Sequence, residues 1–189
     1  MDYKNIIKQH INILNTQATE IETKTSDFAK ILINLLNKKK KLLIAGNGGS
    51  AADAQHISTE LVVRMNYNRK AFPSIALTTD TSAITAIGND YDFEKIFSRQ
   101  IDAIGCEGDV FLAISTSGNS ENIVNALKAA KKNKLKCLGL LGNKGGKCIK
   151  FCDDVFIVNS ENPSRIQEIH IIFYHMMCSI VENSIKRKF

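Results

Sequence analysis

The feature that most constrains this chain is a short apolar run that leads directly into a glycine-rich turn. Residues 42–45, Leu-Leu-Ile-Ala, lie between lysines and glycines, which is typical of a strand buried on both faces. Gly46, Gly48 and Gly49 follow and predict a tight turn whose backbone N–H groups can face a ligand. If a helix begins there, its unpaired N–H groups and its dipole make the turn an anion site.

A helix is expected directly after this turn. Ser50 and Asp53 match a capping box, which places the first helical residue at Ala51. His56 and Glu60 are four residues apart on this helix and therefore share a face. The pair has the chemistry of an acid and a base, or of two metal ligands. An exposed polar pair without a function has the same spacing, and from the pair alone that interpretation is favoured.

Strands alternate with helices along the rest of the chain, which predicts an α/β fold with a parallel sheet covered on both faces. Further strands are predicted at residues 74–77, 109–114, 137–141 and 155–158, and helices at 81–87, 93–104 and 121–132, with a loop at 88–92. A long last helix should begin at Asn162-Pro163, where proline suits the first helical position. There is no linker or low-complexity tract, so residues 1–189 are predicted to form one domain.

Two amphipathic helices are predicted before the first strand, one over residues 2–22 and one after Thr25-Ser26-Asp27. They carry more apolar surface than one small sheet can cover. We therefore expect residues 1–37 to contact another subunit.

The loop Ser115-Thr116-Ser117-Gly118-Asn119-Ser120 follows the third predicted strand and precedes a helix. Its four hydroxyls and the helical N–H groups are neutral donors that suit a phosphate dianion. An ordinary capped turn also uses serine and threonine, but this density of hydroxyls favours phosphate. Ligands of such folds bind beyond the carboxyl ends of the strands, so this loop and the glycine-rich turn should lie at one edge.

A dinucleotide site is the alternative for the glycine-rich turn. Residues 46–51 match the pattern G-x-G-x-x-A. That site also needs an acid near the end of the second strand, and Ala76-Leu77-Thr78 offers none. The dinucleotide interpretation is therefore disfavoured.

The formal net charge of +6 raises the question of nucleic acid. The basic residues cluster at residues 38–41, 131–136 and 186–188, at the ends of predicted helices, where cations complement the dipole. No aromatic-rich basic motif accompanies them, so we expect no nucleic acid partner.

The cysteines and apolar runs bear on the compartment. Five cysteines form neither a CxxC pair nor an even framework, which favours reduced thiols and a cytoplasmic protein. The longest apolar runs, such as residues 138–141, are far too short to cross a membrane.

Three motifs carry a resemblance to a known family: residues 46–51, 115–120 and 165–170. Together they resemble the sugar isomerase (SIS) domain family and, more narrowly, its phosphoheptose isomerases. The resemblance implies a three-layer parallel-sheet SIS fold with N-terminal helices and a long C-terminal helix, assembled as a homotetramer that binds Zn²⁺. It also implies the isomerisation of sedoheptulose 7-phosphate to D-glycero-D-manno-heptose 7-phosphate, the first step of activated heptose biosynthesis for lipopolysaccharide or capsule.

The resemblance also implies roles for individual residues. Glu60 and His175 match the family's catalytic residues, and the metal ligands fall on His56, Glu60, Gln167 and His175. The substrate contacts fall on Asn47, Gly48, Gly49, Glu60, Asn89, Asp90, Ser115, Thr116, Ser117, Ser120 and Gln167. Val63 stands where a small residue is expected before Arg64, which leaves Arg64 without an assigned role.

Gln167 and His175 are separated by about 12 Å along a helix axis. Both reach one ion only if their side chains lean together, or if a neighbouring subunit supplies one of them. Two other functions stay open: a non-catalytic SIS-fold protein that assists replication initiation, and an isomerase of another sugar phosphate.

Overall fold

The computed structural model describes residues 2–186, in which a five-stranded parallel sheet lies between two layers of helices. The strands are β1 (Leu42–Ala45), β2 (Ser74–Ala76), β3 (Val110–Ser115), β4 (Lys136–Gly142) and β5 (Asp154–Val158). The helices are α1 (Tyr3–Asn37), α2 (Gly49–Val62), α3 (Thr81–Asp90), α4 (Ser98–Ile104), α5 (Glu121–Lys132) and α6 (Pro163–Lys186), with 3₁₀ turns at Phe93–Lys95, Asn143–Gly145 and Cys148–Phe151. The predicted α/β class is confirmed. Of the third basic cluster, Arg187 and Lys188 lie outside the described residues.

The sheet has the strand order β2-β1-β3-β4-β5, and every pair is parallel. Alternate residues of each strand enter opposite cores: Leu42 and Ile44 pack with α1, α2 and α6, whereas Leu43 and Ala45 pack with α4 and α5. The direction of strand succession reverses between β1 and β3. The loops that follow these two strands therefore flank the crevice in which such folds bind ligands.

The N-terminal segment is one continuous helix, so the predicted break at Thr25-Ser26-Asp27 is wrong. Thr25 is fully buried, and Lys24 beside it forms an ion pair with Asp154 of β5. Because these residues pack against the sheet, they are not used to cap a second helix. Gln17 also joins α1 to the edge strand, donating to the carbonyl of Ile157 and accepting from the N–H of Asn159.

Two other predicted boundaries are also wrong. The predicted loop at 88–92 begins too early, because α3 continues to Asp90 and Tyr91 is its C-cap residue. The predicted helix 93–104 is a 3₁₀ turn followed by α4. Ile96 and Phe97 lie at the junction between them and are buried in the α4–α5 core, which explains the irregularity.

No helix in the described part of the chain combines the length and hydropathy that a membrane crossing needs.

Three aromatic rings join α1, α6 and β5 in the core. The Phe173 ring stacks on Phe156, with centroids 4.6 Å apart, and meets Phe28 edge to face at 5.3 Å. All three side chains are fully buried. This cluster fixes α6 against the sheet and thereby places its polar residues.

We predict that Phe173→Ala lowers the free energy of unfolding by about 3–5 kcal/mol, because it leaves a cavity between three elements. Phe93, which is 59% exposed, offers a matched control, and Phe93→Ala should change stability by less than about 0.5 kcal/mol. Urea denaturation at equal protein concentration measures both. Equal effects of the two substitutions would show that this cluster does not support the core.

Candidate active site

The two predicted ligand loops meet at the crevice between β1 and β3. Asn47, after β1, and Asn122, in the first turn of α5, exchange two amide hydrogen bonds of 2.9 and 2.8 Å. Asn122 is 97% buried, since only 3% of its surface is exposed. No pattern in the sequence marks Asn122, because a single asparagine near a helix start has no distinguishing neighbours. The pair joins the glycine-rich turn to the start of α5.

The serine loop, residues 115–120, is a tight turn that brings the hydroxyls of Ser115 and Ser120 close together. Gly118 adopts a positive φ of 65°, and its N–H donates to Ser115 Oγ at 3.1 Å. Ser115 Oγ also lies 3.4 Å from Ser120 Oγ. Ser120 is the N-cap residue of α5, yet within residues 2–186 its side chain makes no capping hydrogen bond. The hydroxyl and the first N–H groups of α5 are therefore available to an anion.

The second helix begins earlier than predicted, and the proposed capping box is wrong. α2 begins at Gly49, and its N-cap residue is Gly48, whose φ of 54° favours glycine. Ser50 is buried within the first turn. Asp53 points instead towards α6, where its carboxylate accepts a hydrogen bond from Tyr174.

α2 and α6 lie side by side and run in the same direction. Near the start of both helices, a Cβ on Gly49 would lie 2.6 Å from Nε2 of Gln167. Two turns further on, the Nε2 atoms of His56 and His175 are 3.3 Å apart. Glu60 follows one turn later on α2, with Oε1 at 3.3 Å from His56 Nε2. The structure therefore brings together three of the four predicted metal ligands, His56, Glu60 and His175.

These three side chains fit a zinc ion. One ligand atom from each lies within 4.8 Å of the others. Two ligands at about 2.0–2.1 Å from a tetrahedral zinc ion are about 3.3–3.4 Å apart, which matches both 3.3 Å separations. Glu60 Oε2 is buried and accepts no hydrogen bond from any residue in the described range. Two imidazoles and a carboxylate with an unsatisfied oxygen form a donor set that zinc commonly uses.

Gln167 lies apart from this cluster within one chain. Its amide contacts Gly49, which precedes His56 by seven residues, or about 10 Å along α2. Asn89 and Asp90 are exposed at the end of α3, where the Asn89 amide donates to the Asp90 carboxylate at 2.8 Å. The roles of these three residues at the metal and the substrate stay predictions.

Tyr174 and Asp53 support His56 through its Nδ1 atom, a role that was not predicted from the sequence. The Tyr174 hydroxyl lies 3.0 Å from His56 Nδ1 and donates to Asp53 Oδ1 at 3.4 Å. With its hydrogen directed to Asp53, that hydroxyl accepts from Nδ1–H and leaves Nε2 as the free lone pair. The sequence did contain a signal, since Asp53 precedes His56 by three residues on one helical face.

Burial sets the protonation of these groups. It raises the pKa of Asp53 to about 6, while the hydrogen bond from Tyr174 opposes the shift. Burial also raises the pKa of Tyr174, so the phenol stays protonated and can donate. Burial, with the neighbouring His56, lowers the pKa of His175 and favours its neutral form, the form that binds a metal or accepts a proton.

Arg69 and Glu182 hold the end of α2, and with it the backbone of Glu60. The Arg69 guanidinium donates to the carbonyls of Glu60 and Leu61, at 2.5 and 2.7 Å. It also pairs with Glu182 of α6 at 3.2 Å, and both side chains are nearly fully buried. Arg64, by contrast, is exposed. The cluster is thus held from both helices.

Comparison with known proteins gives a consistent family. The SIS domain model matches residues 3–142. The chain is 47% identical to a phosphoheptose isomerase of Aliarcobacter butzleri over 183 residues, covering 95% of this chain and 97% of that protein. It is 52% identical to phosphoheptose isomerase 1 of Campylobacter jejuni over 169 residues, covering 89% and 91%. A phosphoheptose isomerase structure from Francisella tularensis superposes with a TM-score of 0.92 at 35% identity, covering 95% and 96%.

We predict that Tyr174→Phe weakens zinc binding by about 10- to 100-fold, because His56 loses the partner that fixes its tautomer. Tyr91→Phe, at a residue that is 54% exposed, is the matched control. Competition with a chromogenic chelator measures both affinities. Equal zinc affinity in the two variants would contradict the supporting role, and an unaltered protein without zinc affinity would contradict the metal assignment itself.

Proposed function

This chain belongs to the SIS domain family and, within it, to the phosphoheptose isomerases, and from that premise we propose the reaction it catalyses and the residues that do so. The reaction is the interconversion of sedoheptulose 7-phosphate and D-glycero-D-manno-heptose 7-phosphate in heptose biosynthesis. The observation that carries the assignment of residues is the cluster of His56, Glu60 and His175, with Glu60 Oε2 unsatisfied. A non-catalytic protein has no need of this arrangement.

The serine loop binds the phosphate with neutral donors. The loop carries the hydroxyls of Ser115, Thr116, Ser117 and Ser120 and leads into the first N–H groups of α5. Asn47, Gly48 and Gly49 lie across the crevice, at the positive end of α2. Binding energy from the phosphate then serves to orient the carbonyl end of the sugar.

Glu60 and His175 carry the protons. Isomerisation removes a proton from the carbon beside the carbonyl and returns it to the neighbouring carbon through an enediol. Glu60 is the base in one direction and His175 its partner acid, and the roles reverse in the other. The two oxygens of Glu60 have different roles. Oε1 faces His56 and is the proposed metal ligand, and Oε2, which has no hydrogen-bond partner among the described residues, is the proposed proton acceptor.

Zn²⁺ is the proposed cofactor, held by His56, Glu60 and His175, and when bound it polarises the carbonyl oxygen of the sugar. Gln167 is the fourth predicted ligand. Because Gln167 lies two turns from the histidines within one chain, it contributes either by moving or from a neighbouring subunit.

A homotetramer is the proposed assembly, and exposed apolar residues of α1 support it. Tyr3, Ile7 and Ile11 are spaced by four residues on one face and are 70%, 59% and 49% exposed. Asp90 lies nine residues along α3, about 13 Å from the helix start at the ligand edge. A substrate contact from Asn89 or Asp90 is therefore easier to explain if a neighbouring subunit supplies it.

A cytoplasmic location without a nucleic acid partner completes the proposal. No cysteine in residues 2–186 is in a disulfide, as expected in a reducing compartment. The cationic cluster at residues 131–136 is partly neutralised, because Lys131 pairs with Asp153 and Lys134 with Glu107.

We predict that Glu60→Gln lowers kcat for sedoheptulose 7-phosphate by about 10²- to 10⁴-fold, because the amide cannot accept the carbon-bound proton. Glu107→Gln, an exposed position, should retain full activity. The measurement is an isomerase assay on a panel of heptose, pentose and amino-sugar phosphates. Full activity of Glu60→Gln would remove the base from the mechanism, and a higher kcat/KM for another sugar phosphate would assign the site to that substrate.

We also predict that the double substitution Ile7→Glu and Ile11→Glu converts the tetramer into a smaller species, because it places charges on a buried interface. Ile104→Glu, at a residue that is 38% exposed on α4, should leave the assembly unchanged. Light scattering gives the molar mass of each. An intact tetramer from the double variant would exclude this face of α1 from the interface.

A further inference from the structure

We infer that residues 142–147, the last residue of β4 and the loop after it, are a positioning element of the phosphate site and act through Asn119 and Glu121. The inference rests on the proposed function, since it concerns the serine loop that is proposed to hold the phosphate. Neither Asn119 nor this loop was predicted to contact the substrate. Residues 142–147 contact the serine loop and the start of α5 in three ways: by backbone packing, by a side-chain bridge from Asn119 and by an ion pair with Glu121.

The two loops pack backbone against backbone. A Cβ on Gly118 would lie 2.3 Å from the carbonyl oxygen of Gly145, and one on Gly146 would lie 2.6 Å from the carbonyl oxygen of Gly118. The same Gly118 oxygen accepts a hydrogen bond from the N–H of Cys148, a fully buried residue, at 2.9 Å. Because no side chain fits between them, the position of one loop determines that of the other.

Asn119 bridges the loops with both ends of its amide. Oδ1 accepts from the N–H of Lys147 at 3.0 Å, and Nδ2 donates to the carbonyl of Ser117 at 3.0 Å. The backbone N–H of Asn119 also donates to Ser117 Oγ at 3.1 Å. Ser117 is thereby held at its carbonyl and at its hydroxyl oxygen, while the hydroxyl hydrogen remains free to donate to a phosphate.

Lys147 also neutralises a charge beside the phosphate. Glu121 is the first residue of α5, next to Ser120, and its carboxylate pairs with the Lys147 ammonium. The hydrogen bond from Lys147 keeps the pKa of Glu121 below its usual range, so this carboxylate is ionised. Without the ammonium, the negative charge would repel a dianion at the helix N-terminus.

The start of the same loop also contacts α6. A Cβ on Gly142 would lie 2.5 Å from the carbonyl oxygen of Thr116 and 2.4 Å from Cδ1 of Ile166. Ile166 directly precedes Gln167. The loop therefore fixes the position of the serine loop relative to the helix that carries His175. It thereby fixes the distance between the proposed phosphate site and the groups proposed to transfer protons.

The first test removes the bridge. Asn119→Ala should raise KM, and the dissociation constant of the sugar phosphate, by about tenfold. The value of kcat should stay within about twofold, because the substitution weakens only the binding of the phosphate group. Asn125→Ala is the control, since Asn125 is a half-buried asparagine of α5 whose amide also donates to a carbonyl, that of Glu94. Ser117→Ala, which removes a proposed phosphate donor, serves as the reference.

The second test concerns the charge and does not depend on the bridge. Lys147→Met should weaken binding of the sugar phosphate by about threefold at low salt, and less at high salt, because the exposed Glu121 charge is screened. Glu121→Gln introduced into Lys147→Met should restore the original affinity. A merely structural role of Lys147 would not respond to this second substitution.

Calorimetry with the sugar phosphate separates the outcomes. If Ser117→Ala binds as tightly as the unaltered protein, the serine loop does not hold the phosphate and that part of the proposed function fails. If Ser117→Ala weakens binding while Asn119→Ala matches Asn125→Ala, and Glu121→Gln gives no rescue, the inference alone is overturned. Weakened binding by Asn119→Ala together with the rescue supports it.

Discussion

The close contact between α2 and α6 is the interaction on which the site depends. The helices approach each other where Gly49 lies against Gln167, because glycine has no Cβ to hold them apart. From that contact they continue in the same direction, so residues two turns further along each helix also meet. His56 and His175 are those residues, and their 3.3 Å separation follows from the register that the glycine contact sets.

The site uses two kinds of chemistry at its two ends. At the proposed phosphate end, hydroxyls and backbone N–H groups are donors that need no fixed charge, and Lys147 balances Glu121. At the other end, ionisable groups are partly buried, and burial raises the pKa of Asp53 and lowers that of His175. The shift of His175 favours its neutral form, which suits metal binding.

Hydrogen bonds and ion pairs between separate segments hold both ends of the site in place. The Asn47–Asn122 amide pair, the Arg69–Glu182 ion pair and the Asn119 bridge each join segments that are distant in the chain. Their value lies in positioning, because small displacements of catalytic groups cost large factors in rate. The Phe173 cluster does the same for α6 from inside the core.

The sequence by itself determined the fold class and the short-range part of the site. Strand–helix alternation predicted the three layers, and the positions of the turn and the serine loop after β1 and β3 placed both at one edge, as found. The four-residue spacing of His56 and Glu60 placed them on one face. These are local properties, set by periodicity, glycine and the direction of parallel strands.

Only the tertiary structure decided which distant residues meet. Thr25 looked like a cap and is buried in a continuous helix, because packing against β5 outweighs local capping preference. Asp53 looked like half of a capping box and instead accepts from Tyr174, 121 residues away in sequence. Asn122, Arg69 and Asn119 had no pattern to mark them. Their roles come from contacts between separate elements, and no local rule of spacing contains such contacts.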